Sequence, residues 1–364
     1  MPFSGMHIGL VGPLPPPAGG MANQAQQLSE SIEGGNGTVT FVRTNAPYRP
    51  EFIRSVKGLR AVFRLIPYLC QLWSTAGKVD VMHVLANSGW SWHLFAAPAV
   101  WIAWLRRTPV VVNYRGGEAE TFFENSWHIV KPTLSKASSI VVPSGFLEQV
   151  FARRNVEVKV IPNILDLGRF GGNCYAKKTD EDRCQIVVTR NLEALYDVGT
   201  VIRAFAIIKN QLPDACLIVA GSGPEEAMLK ALTSDLGLES SVTFTGRLSN
   251  SEIAELYKEA DMMLNASLVD NSPNSLIEAL ASGVPVVSSN VGGIPYLVEH
   301  GVSGLLVEPK SPELLADAAI KVLLNEQLKA SLIKQGKSVA QRFDKQKVLA
   351  MLALEYKDLI GQST

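Results

Sequence analysis

The stretch Asp270-Asn-Ser-Pro-Asn-Ser-Leu-Ile-Glu-Ala-Leu-Ala-Ser-Gly-Val-Pro-Val-Val287 decides how the rest of this 364-residue chain is interpreted. Pro273 ends the element before it, and Asn274 or Ser275 can cap the apolar run that follows, which predicts a short helix. Gly283 ends that helix, because glycine adopts the conformation of a helix C-terminus at little cost. The Val-rich run behind it predicts a buried strand of a parallel sheet.

Two carboxylates, Asp270 and Glu278, flank the start of this predicted helix. The first N–H groups of a helix have no intrahelical partner and attract anions. A molecule that carries phosphates and hydroxyl groups suits the arrangement, because the N–H groups bind phosphates and the carboxylates accept from hydroxyls. On its own, a Pro-Asn-Ser start also fits an ordinary capped helix of an α/β domain.

Strand-like runs alternate with helical stretches along the whole chain, which predicts parallel sheets with helices on both faces. The fold class is therefore α/β, with two doubly wound, Rossmann-like domains that face each other across a cleft. The predicted strands are 7–11, 39–42, 79–85, 110–114, 139–143 and 158–161, followed by 185–189, 215–220, 241–245, 262–265, 284–288 and 304–307.

The composition changes between the two series of strands. Residues 166–182 are rich in Gly, Lys and Asp and are predicted to be a linker. The first domain then comprises residues 1–165, and the second comprises residues 183–344.

Composition excludes several classes of protein. The chain has 34 basic and 34 acidic residues, which argues against a nucleic-acid binder driven by bulk charge. Its four cysteines form no Cys-x-x-Cys pair and its five histidines show no ligand spacing, so neither a metal site nor a disulfide framework is predicted. No secretory leader is recognised at the start, and we expect a cytoplasmic protein.

One apolar segment, 88–105, has no Lys, Arg, Asp or Glu and is followed by Arg106 and Arg107. Its length and flank are compatible with a short membrane span. However, the segment contains His93 and Pro98 and lies between two predicted strands. A helix packed against a parallel sheet fits these features better.

The opening stretch and its surroundings closely resemble the carboxyl-terminal half of the family 4 (group 1) glycosyltransferases, retaining enzymes of the GT-B fold. The amino-terminal half shares the resemblance through Pro15–Gly20 and Ile161–Asp166. In the carboxyl-terminal half the motifs are Val219–Pro224, Val242–Arg247, Leu264–Ser267, Asn290–Pro295 and Gly301–Val307.

The resemblance implies a role for each residue of the opening stretch. Asp270 is expected beside the donor sugar, and Glu278 is expected to hold the ribose hydroxyls of a nucleotide sugar. The N–H groups at the start of the helix are expected to bind the diphosphate. Neither a cofactor nor a metal is expected in this site. The residues that supply these N–H groups are Asn274, Ser275 and Leu276.

Other donor contacts follow from the same resemblance. Gly19 and Gly20 are expected in a loop where backbone approaches the phosphates, although a plain turn explains a Gly-Gly pair as well. A helix over residues 345–364 is expected to return to the first domain. The remaining donor-binding positions are Gly221, Gly246, Arg247 and Asn271.

The chain departs from the family pattern at two places. Family members carry an Arg and then a Lys on the diphosphate, and here Arg190 is present while Tyr196 stands at the aligned Lys position. A family His near the end of the fourth strand is also missing. Arg115 lies there instead and can supply positive charge, but it cannot act as a general base.

Three further motifs have weaker interpretations. Residues 221–226 partly match a dinucleotide-binding fingerprint, which would favour an oxidoreductase, but Glu226 stands where the third Gly belongs. The acidic run 180–182 mimics the metal-binding acids of the other glycosyltransferase fold, yet it falls in the predicted linker. Arg54, Lys57, Arg60 and Arg64 recur at helical spacing, which fits either a solvated face or contact with an anionic membrane surface.

These observations predict a metal-independent, retaining glycosyltransferase. It would move a sugar from a nucleoside-diphosphate sugar to a glycan or lipid-linked acceptor, as polysaccharide biosynthesis requires. Two alternatives stay open: a catalytically impaired nucleotide-sugar-binding protein of the same fold, which Tyr196 favours, and a GT-B nucleotide-sugar epimerase. The nucleotide base, the sugar and the acceptor do not follow from these motifs.

Overall fold

The computed structural model describes residues 2–16, 19–47, 59–171 and 183–362, and the side chains of residues 59–62 lie outside this description. The chain divides into two compact units. Unit 1 comprises Met1–Ile164 together with Gln346–Thr364, and unit 2 comprises Leu165–Lys345.

Unit 1 contains a six-stranded parallel sheet in the order β2-β1-β3-β4-β5-β6. Strands β3 and β4 are buried along their whole length, as is typical of parallel strands that are covered on both faces. The strands are β1 (His7–Gly12), β2 (Thr38–Arg43), β3 (Val81–Ala86), β4 (Val110–Tyr114), β5 (Ser139–Val142) and β6 (Lys159–Val160).

Helices cover both faces of this sheet. Rings from Tyr68, Trp92, Phe123 and Phe151 fill the core on one face, and α1 covers the other face with Ala25, Leu28 and Ile32. The helices of this unit so far are α1 (Gly20–Gly34), α2 (Leu59–Ala76), α3 (Ala97–Leu105), α4 (Ala119–Leu134) and α5 (Gly145–Ala152).

The apolar segment 88–105 forms a π-helical turn over Trp92–Ala96 that continues directly into α3. The small side chains of Ala99, Val100 and Ala103 are buried against the sheet and its neighbouring helices. Within the described ranges, no helix is both long and apolar enough to cross a membrane.

Unit 2 also contains a six-stranded parallel sheet, in the order β12-β11-β10-β7-β8-β9. The prediction of two doubly wound parallel-sheet domains is therefore confirmed. The strands are β7 (Gln185–Val188), β8 (Cys216–Ala220), β9 (Val242–Gly246), β10 (Met262–Asn265), β11 (Val286–Ser289) and β12 (Leu305–Val307).

The helices of unit 2 also lie on both faces of its sheet, since its buried apolar side chains form two separate clusters. The helices are α6 (Leu167–Phe170), α7 (Val198–Gln211), α8 (Glu226–Asp235), α9 (Asn250–Glu259), α10 (Asn274–Ser282), α11 (Ile294–Leu297), α12 (Pro312–Leu323) and α13 (Glu326–Ala340).

The predicted linker is wrong for residues 166–171. Asp166 caps α6, because its carboxylate accepts from the backbone N–H groups of Gly168 and Arg169. Phe170 is buried, and its ring lies 6.4 Å from that of Tyr257. This segment is therefore part of unit 2, while residues 172–182, with the acidic run 180–182, lie outside the described residues.

The last helix, α14 (Lys345–Gly361), belongs to unit 1. It covers the sheet face that also carries α1, with Val348, Leu352 and Tyr356 in the shared core. Its Glu355 accepts from Lys159 Nζ of β6 at 2.6 Å. The end of the chain therefore completes the core of the first unit.

The basic helix predicted from residue 54 onward is described only in part. Arg54 and Lys57 lie outside the described residues, as does the side chain of Arg60. Arg64 lies on α2 and is half-buried. The predicted membrane contact through these four residues stays a prediction.

Candidate functional site

The start of α10 is the centre of the candidate site in unit 2. Its N-cap is Pro273, whose extended backbone (φ −69°, ψ 115°) already has the geometry of a cap. Proline has no side-chain acceptor, and the N-cap is neither Asn274 nor Ser275, so the expected capping by one of these two residues is wrong. Both residues lie inside the first turn, and Gly283 ends the helix in the left-handed conformation (φ 75°).

Arg190 lies two residues beyond β7 and reaches the start of α10. Its Nη1 donates to Ser275 Oγ at 3.1 Å, and its Nη2 forms an ion pair with Asp270 Oδ2. The Arg190 side chain is 9% exposed and that of Asp270 is 13% exposed, so solvent screens this pair little. The structure thus brings together three of the predicted site residues.

The face of the Arg190 guanidinium is covered by an aromatic ring. Its Cζ lies 4.0 Å from the centre of the Tyr196 ring, within the range of a cation–π contact. Burial raises the pKa of Tyr196, so its phenol stays protonated at neutral pH. Tyr196 therefore holds the Arg190 side chain in place and adds no charge.

Glu278 lies one turn into α10. Desolvation raises the pKa of its carboxyl group to about 7, against the opposing influence of Arg190 and Arg169. A carboxyl group with this pKa exchanges a proton near neutrality. We therefore expect the charge at this position to change near neutral pH.

Tyr257 of α9 supports the same helix start and was not predicted from the sequence. Its hydroxyl donates to the carbonyl oxygen of Ser275 at 2.9 Å, and the Thr189 hydroxyl lies 2.6 Å from it. Because the only phenolic proton is used on Ser275, Thr189 must be the donor in the second bond. A buried Tyr on the apolar side of a helix gives no sequence signal of such a role.

Glycines allow the loops of this site to pack closely. A Cβ at Gly221 would overlap the carbonyl oxygen of Arg190, and one at Gly293 would overlap that of Asn271. Gly293 also donates its N–H to Asp270 O at 2.9 Å. Gly221, predicted as a donor contact, thus has a packing role at the backbone of Arg190.

Two predicted donor residues follow an edge strand. Gly246 ends β9 in the left-handed conformation (φ 70°), and Arg247 behind it is exposed. In the sheet, β8 separates β9 from β7, whereas β7 and β10 are neighbours. Asn271 is buried beside Asp270, and Leu276 is buried in α10.

A second polar cluster lies in unit 1, behind β4. Arg115 donates to Asn163 Oδ1 and, at 3.4 Å, to Asn113 Oδ1. Burial lowers the pKa of Arg115 to about 10, which leaves it charged at neutral pH. No carboxylate bonds to it among the described residues, so the charge is not neutralised.

Asn113 is in turn held by a buried histidine. Its Nδ2 lies 3.1 Å from His83 Nε2, and His83 Nδ1 lies 2.8 Å from the hydroxyl of Tyr356 on α14. Desolvation, and then the charge of Arg115, lower the pKa of His83 to about 3. His83 is therefore neutral, and a chain of hydrogen bonds links α14 to Arg115.

Gly19 and Gly20 begin α1, with Gly19 as its N-cap. The Gly19 backbone is extended (φ −160°), and a Cβ at either position would meet nothing within 4 Å. Packing inside the described protein therefore gives no reason for glycine at these two positions. Residues 17 and 18 lie outside the described residues.

Two family models match the chain and between them cover most of it. The model of "Glycosyl transferases group 1" matches residues 176–339, and that of "Glycosyl transferase 4-like domain" matches residues 15–163. The first spans the site at α10, and the second spans both glycines and Arg115.

Two relatives are at least 30% identical to this chain over part of its length. N-acetyl-alpha-D-glucosaminyl L-malate synthase of Bacillus anthracis is 34% identical over 171 residues, which are 47% of this chain and 44% of that protein. A GDP-mannose-dependent alpha-(1-6)-phosphatidylinositol monomannoside mannosyltransferase of Mycobacterium tuberculosis is 30% identical over 151 residues, 40% of this chain and 39% of that protein. In both cases the chain matches less than half of the relative's length.

The fold as a whole has solved counterparts. Sucrose-phosphate synthase from Thermosynechococcus elongatus superposes with a TM-score of 0.79 over 98% of this chain and 100% of that chain. Only 20% of the residues are identical. The similarity therefore concerns the architecture of the two sheets.

Proposed function

This chain belongs to the group 1 (family 4) glycosyltransferases, and we propose that it transfers a sugar from a nucleoside-diphosphate sugar to a glycan or lipid-linked acceptor. The observation that carries the proposal is the start of α10. There a helix N-terminus with a proline as its N-cap, a buried arginine and two carboxyl groups occupy one site.

A donor of this kind matches the site group by group. The N–H groups of Asn274, Ser275 and Leu276 bind the diphosphate, since the first turn of a helix binds anions. Glu278 accepts from the ribose hydroxyls. The mannosyltransferase relative is GDP-mannose-dependent by name, which supports a nucleoside-diphosphate sugar as the class of donor.

Arg190 is the cation of this site in our proposal. It is paired with Asp270. A bound diphosphate takes over part of the guanidinium, and Asp270 is then released towards the sugar. The ion pair thus orients the side chains of Arg190 and Asp270 for the donor, and it lowers the affinity of the site for anions that carry no sugar.

We propose that transfer proceeds with retention of anomeric configuration. The bond between the anomeric carbon and the leaving phosphate oxygen breaks, and the acceptor oxygen bonds to the same face of that carbon. The acceptor proton passes to the departing phosphate. Charge on the leaving diphosphate is stabilised by Arg190 and helix N–H groups, so no metal ion is required.

The name of one relative supports the proposed class of acceptor. The relative from Mycobacterium tuberculosis acts, by its name, on a phosphatidylinositol derivative. We propose a glycan or lipid-linked acceptor for this chain and peripheral contact with the inner face of the membrane, which places it in the cytoplasm.

A ligand screen tests the proposal. The melting temperature is measured with each nucleoside diphosphate and nucleotide sugar, because ligands that bind the folded state stabilise it. We expect one nucleoside to stabilise the protein both as its diphosphate and as its nucleotide sugar. NMR of the product should show an anomeric bond with the same axial or equatorial orientation as in the donor. If no nucleotide changes the melting temperature, the proposed site does not bind a donor.

One observation favours a second function, a nucleotide-sugar-binding protein without transfer activity. Tyr196 removes the second cation that family members place on the diphosphate. The two functions differ in turnover. Donor binding without any consumption of donor, in the presence of a panel of glycan and lipid acceptors, would favour the binding protein.

A further inference from the structure

Large apolar side chains are exposed on the outer side of α2 and at the end of α3. On α2 they recur every three or four residues, while Tyr68 and Leu72 of the same helix are buried. On α3 they are the last two residues of the helix. We call this surface the α2–α3 face; it consists of Phe63, Ile66, Leu69, Trp73, Trp104 and Leu105.

The two helices present one continuous surface. The guanidinium of Arg106, directly behind α3, lies 5.1 Å from the centre of the Trp73 ring on α2. Behind α4, Lys136 Nζ lies 4.5 Å from the centre of the Trp104 ring. The carboxyl-terminal ends of α2, α3 and α4 therefore meet in a set of rings, each with a cation over it.

Exposure on this face is large for tryptophan and leucine. Trp73 is 49% exposed, Trp104 is 45% exposed and Leu105 is 58% exposed. Scattered apolar residues need no explanation on a protein surface, but a contiguous group marks an interaction site. No other described part of the chain covers these side chains.

The surroundings of the α2–α3 face are basic. Across residues 59–117 the sequence contains one acidic residue, Asp80, and its carboxylate accepts from the backbone N–H of His7 at 2.7 Å. Arg106 and Arg107 are exposed at the edge of the face, and Lys136 is half-exposed. The face therefore combines apolar rings with positive charge.

We propose that the α2–α3 face docks on an anionic lipid bilayer. Trp73, Trp104 and Leu105 enter the interfacial layer, and Arg106, Arg107 and Lys136 contact lipid phosphates. Tryptophan is the residue typical of this layer, because its ring is apolar and its N–H is polar. A cation next to each ring matches the position of phosphates above the acyl chains.

This docking rests on the lipid-linked acceptor of the proposed function. It differs from the predicted contact through Arg54, Lys57, Arg60 and Arg64, because it requires apolar insertion as well as charge. Vesicle binding is measured without donor or acceptor. A failure to bind vesicles therefore leaves donor binding and transfer to a soluble glycan intact.

The experiment is flotation of the full chain with vesicles of phosphatidylcholine, alone or mixed with phosphatidylglycerol. One variant carries Trp73→Gln, Trp104→Gln and Leu105→Gln, and a second carries Arg106→Gln and Arg107→Gln. The control variant carries Leu354→Gln and Lys357→Gln, an exposed apolar and basic pair on α14. Melting temperatures verify that each variant is folded.

We expect the wild-type protein and the control to float with the mixed vesicles, and each face variant to bind about tenfold more weakly. Brominated lipids should quench the fluorescence of the wild-type protein more than that of the variant without Trp73 and Trp104. High salt should weaken binding without abolishing quenching in the bound fraction.

Three results overturn the proposal. In the first, the wild-type protein binds neither type of vesicle. In the second, the face variants bind the mixed vesicles as well as the wild-type protein does. In the third, the wild-type chain forms a dimer that the tryptophan variant does not form, and no vesicle is bound. The α2–α3 face would then be an interface between two copies of the chain.

Discussion

Arg190 in unit 2 and Arg115 in unit 1 hold comparable positions behind a strand of a parallel sheet, yet they are held in opposite ways. Arg190 is paired with the carboxylate of Asp270 and covered by the Tyr196 ring. Arg115 is held by the amide oxygens of Asn163 and Asn113. A carboxylate offsets the first charge, whereas none of the described carboxylates pairs with the second.

The difference assigns distinct tasks to the two arginines. We expect an anion that approaches Arg190 to compete with Asp270, so a ligand with further contacts should bind there best. An anion that approaches Arg115 should meet a positive charge that none of the described carboxylates offsets, since burial lowers its pKa only to about 10. Selectivity is therefore expected from Arg190, and attraction of anions from Arg115.

The largest expected effect is on stability. Arg190→Gln leaves the mostly buried Asp270 carboxylate without its partner, and we expect a loss of about 3 kcal/mol in the free energy of unfolding. Arg115→Gln breaks hydrogen bonds to neutral amides, so its loss should be about 1 kcal/mol. Urea unfolding monitored by circular dichroism measures both.

The double variant Arg190→Gln with Asp270→Asn is the control for this comparison. Removing both charges should restore much of the stability that Arg190→Gln loses. Equal losses for Arg190→Gln and Arg115→Gln, with no recovery in the double variant, would show that the ion pair does not distinguish the two sites.

The next effect is on turnover. Asp270→Asn keeps the shape of the side chain and frees Arg190 from its counter-charge. We expect turnover to fall about a hundredfold, because we propose that the carboxylate acts on the reacting sugar, while affinity for the nucleoside diphosphate changes little or improves. Steady-state kinetics and calorimetry measure the two quantities separately.

Glu193→Gln serves as the matched control, since Glu193 lies close enough to affect the pKa of Tyr196 but is outside the proposed site. Its turnover should equal that of the wild-type protein. If Asp270→Asn weakens diphosphate binding as much as it slows turnover, Asp270 does not act on the sugar.

Glu278 of unit 2 gives a smaller effect that depends on pH. Burial raises its pKa from 4.5 to about 7, so the folded protein retains a proton there that the unfolded chain has lost. The stability that this proton contributes is fully present below pH 4.5 and is lost as the pH rises through about 7.

The variant Glu278→Gln isolates this contribution. Its free energy of unfolding should exceed that of the wild-type protein increasingly as the pH rises towards 7, whereas wild-type affinity for a nucleoside diphosphate should increase over the same range. Urea unfolding at a series of pH values measures the first trend. A constant difference between the two proteins would mean that Glu278 titrates at an ordinary pH.

The smallest expected effect is that of a chelator. We propose that Arg190 and helix N–H groups stabilise the leaving diphosphate, so EDTA should leave transfer unchanged. Rates before and after EDTA treatment test this. Complete loss of activity that magnesium or manganese restores would contradict the assignment of Arg190.

Much of the fold follows from the sequence because parallel strands leave a strong signal. Runs such as Val81–Ala86 and Val110–Tyr114 are apolar along their whole length, since both faces are covered. The segment 166–171 was misjudged, because a Gly-rich composition does not reveal that Phe170 packs into a core. Its burial depends on contacts with Tyr257, far away in sequence.

The candidate site, like the fold, could be predicted from the sequence only in part. The motif at α10 identified Asp270, Ser275 and Glu278, because a proline followed by polar residues marks a helix start. The ion pair of Arg190 with Asp270 and the ring of Tyr196 over it depend on tertiary packing. Neither Tyr257 nor His83 could be identified, because each acts through partners on other elements.

The central claim is that the start of α10 binds the nucleotide of a sugar donor, and calorimetric titration with a nucleoside diphosphate tests it most directly. Glu278→Ala should weaken binding by about 1.5–3 kcal/mol, because it removes a charged acceptor of ribose hydroxyls. Glu255→Ala, at an exposed position on α9, should bind like the wild-type protein. Unchanged affinity in a folded Glu278→Ala protein would contradict the account.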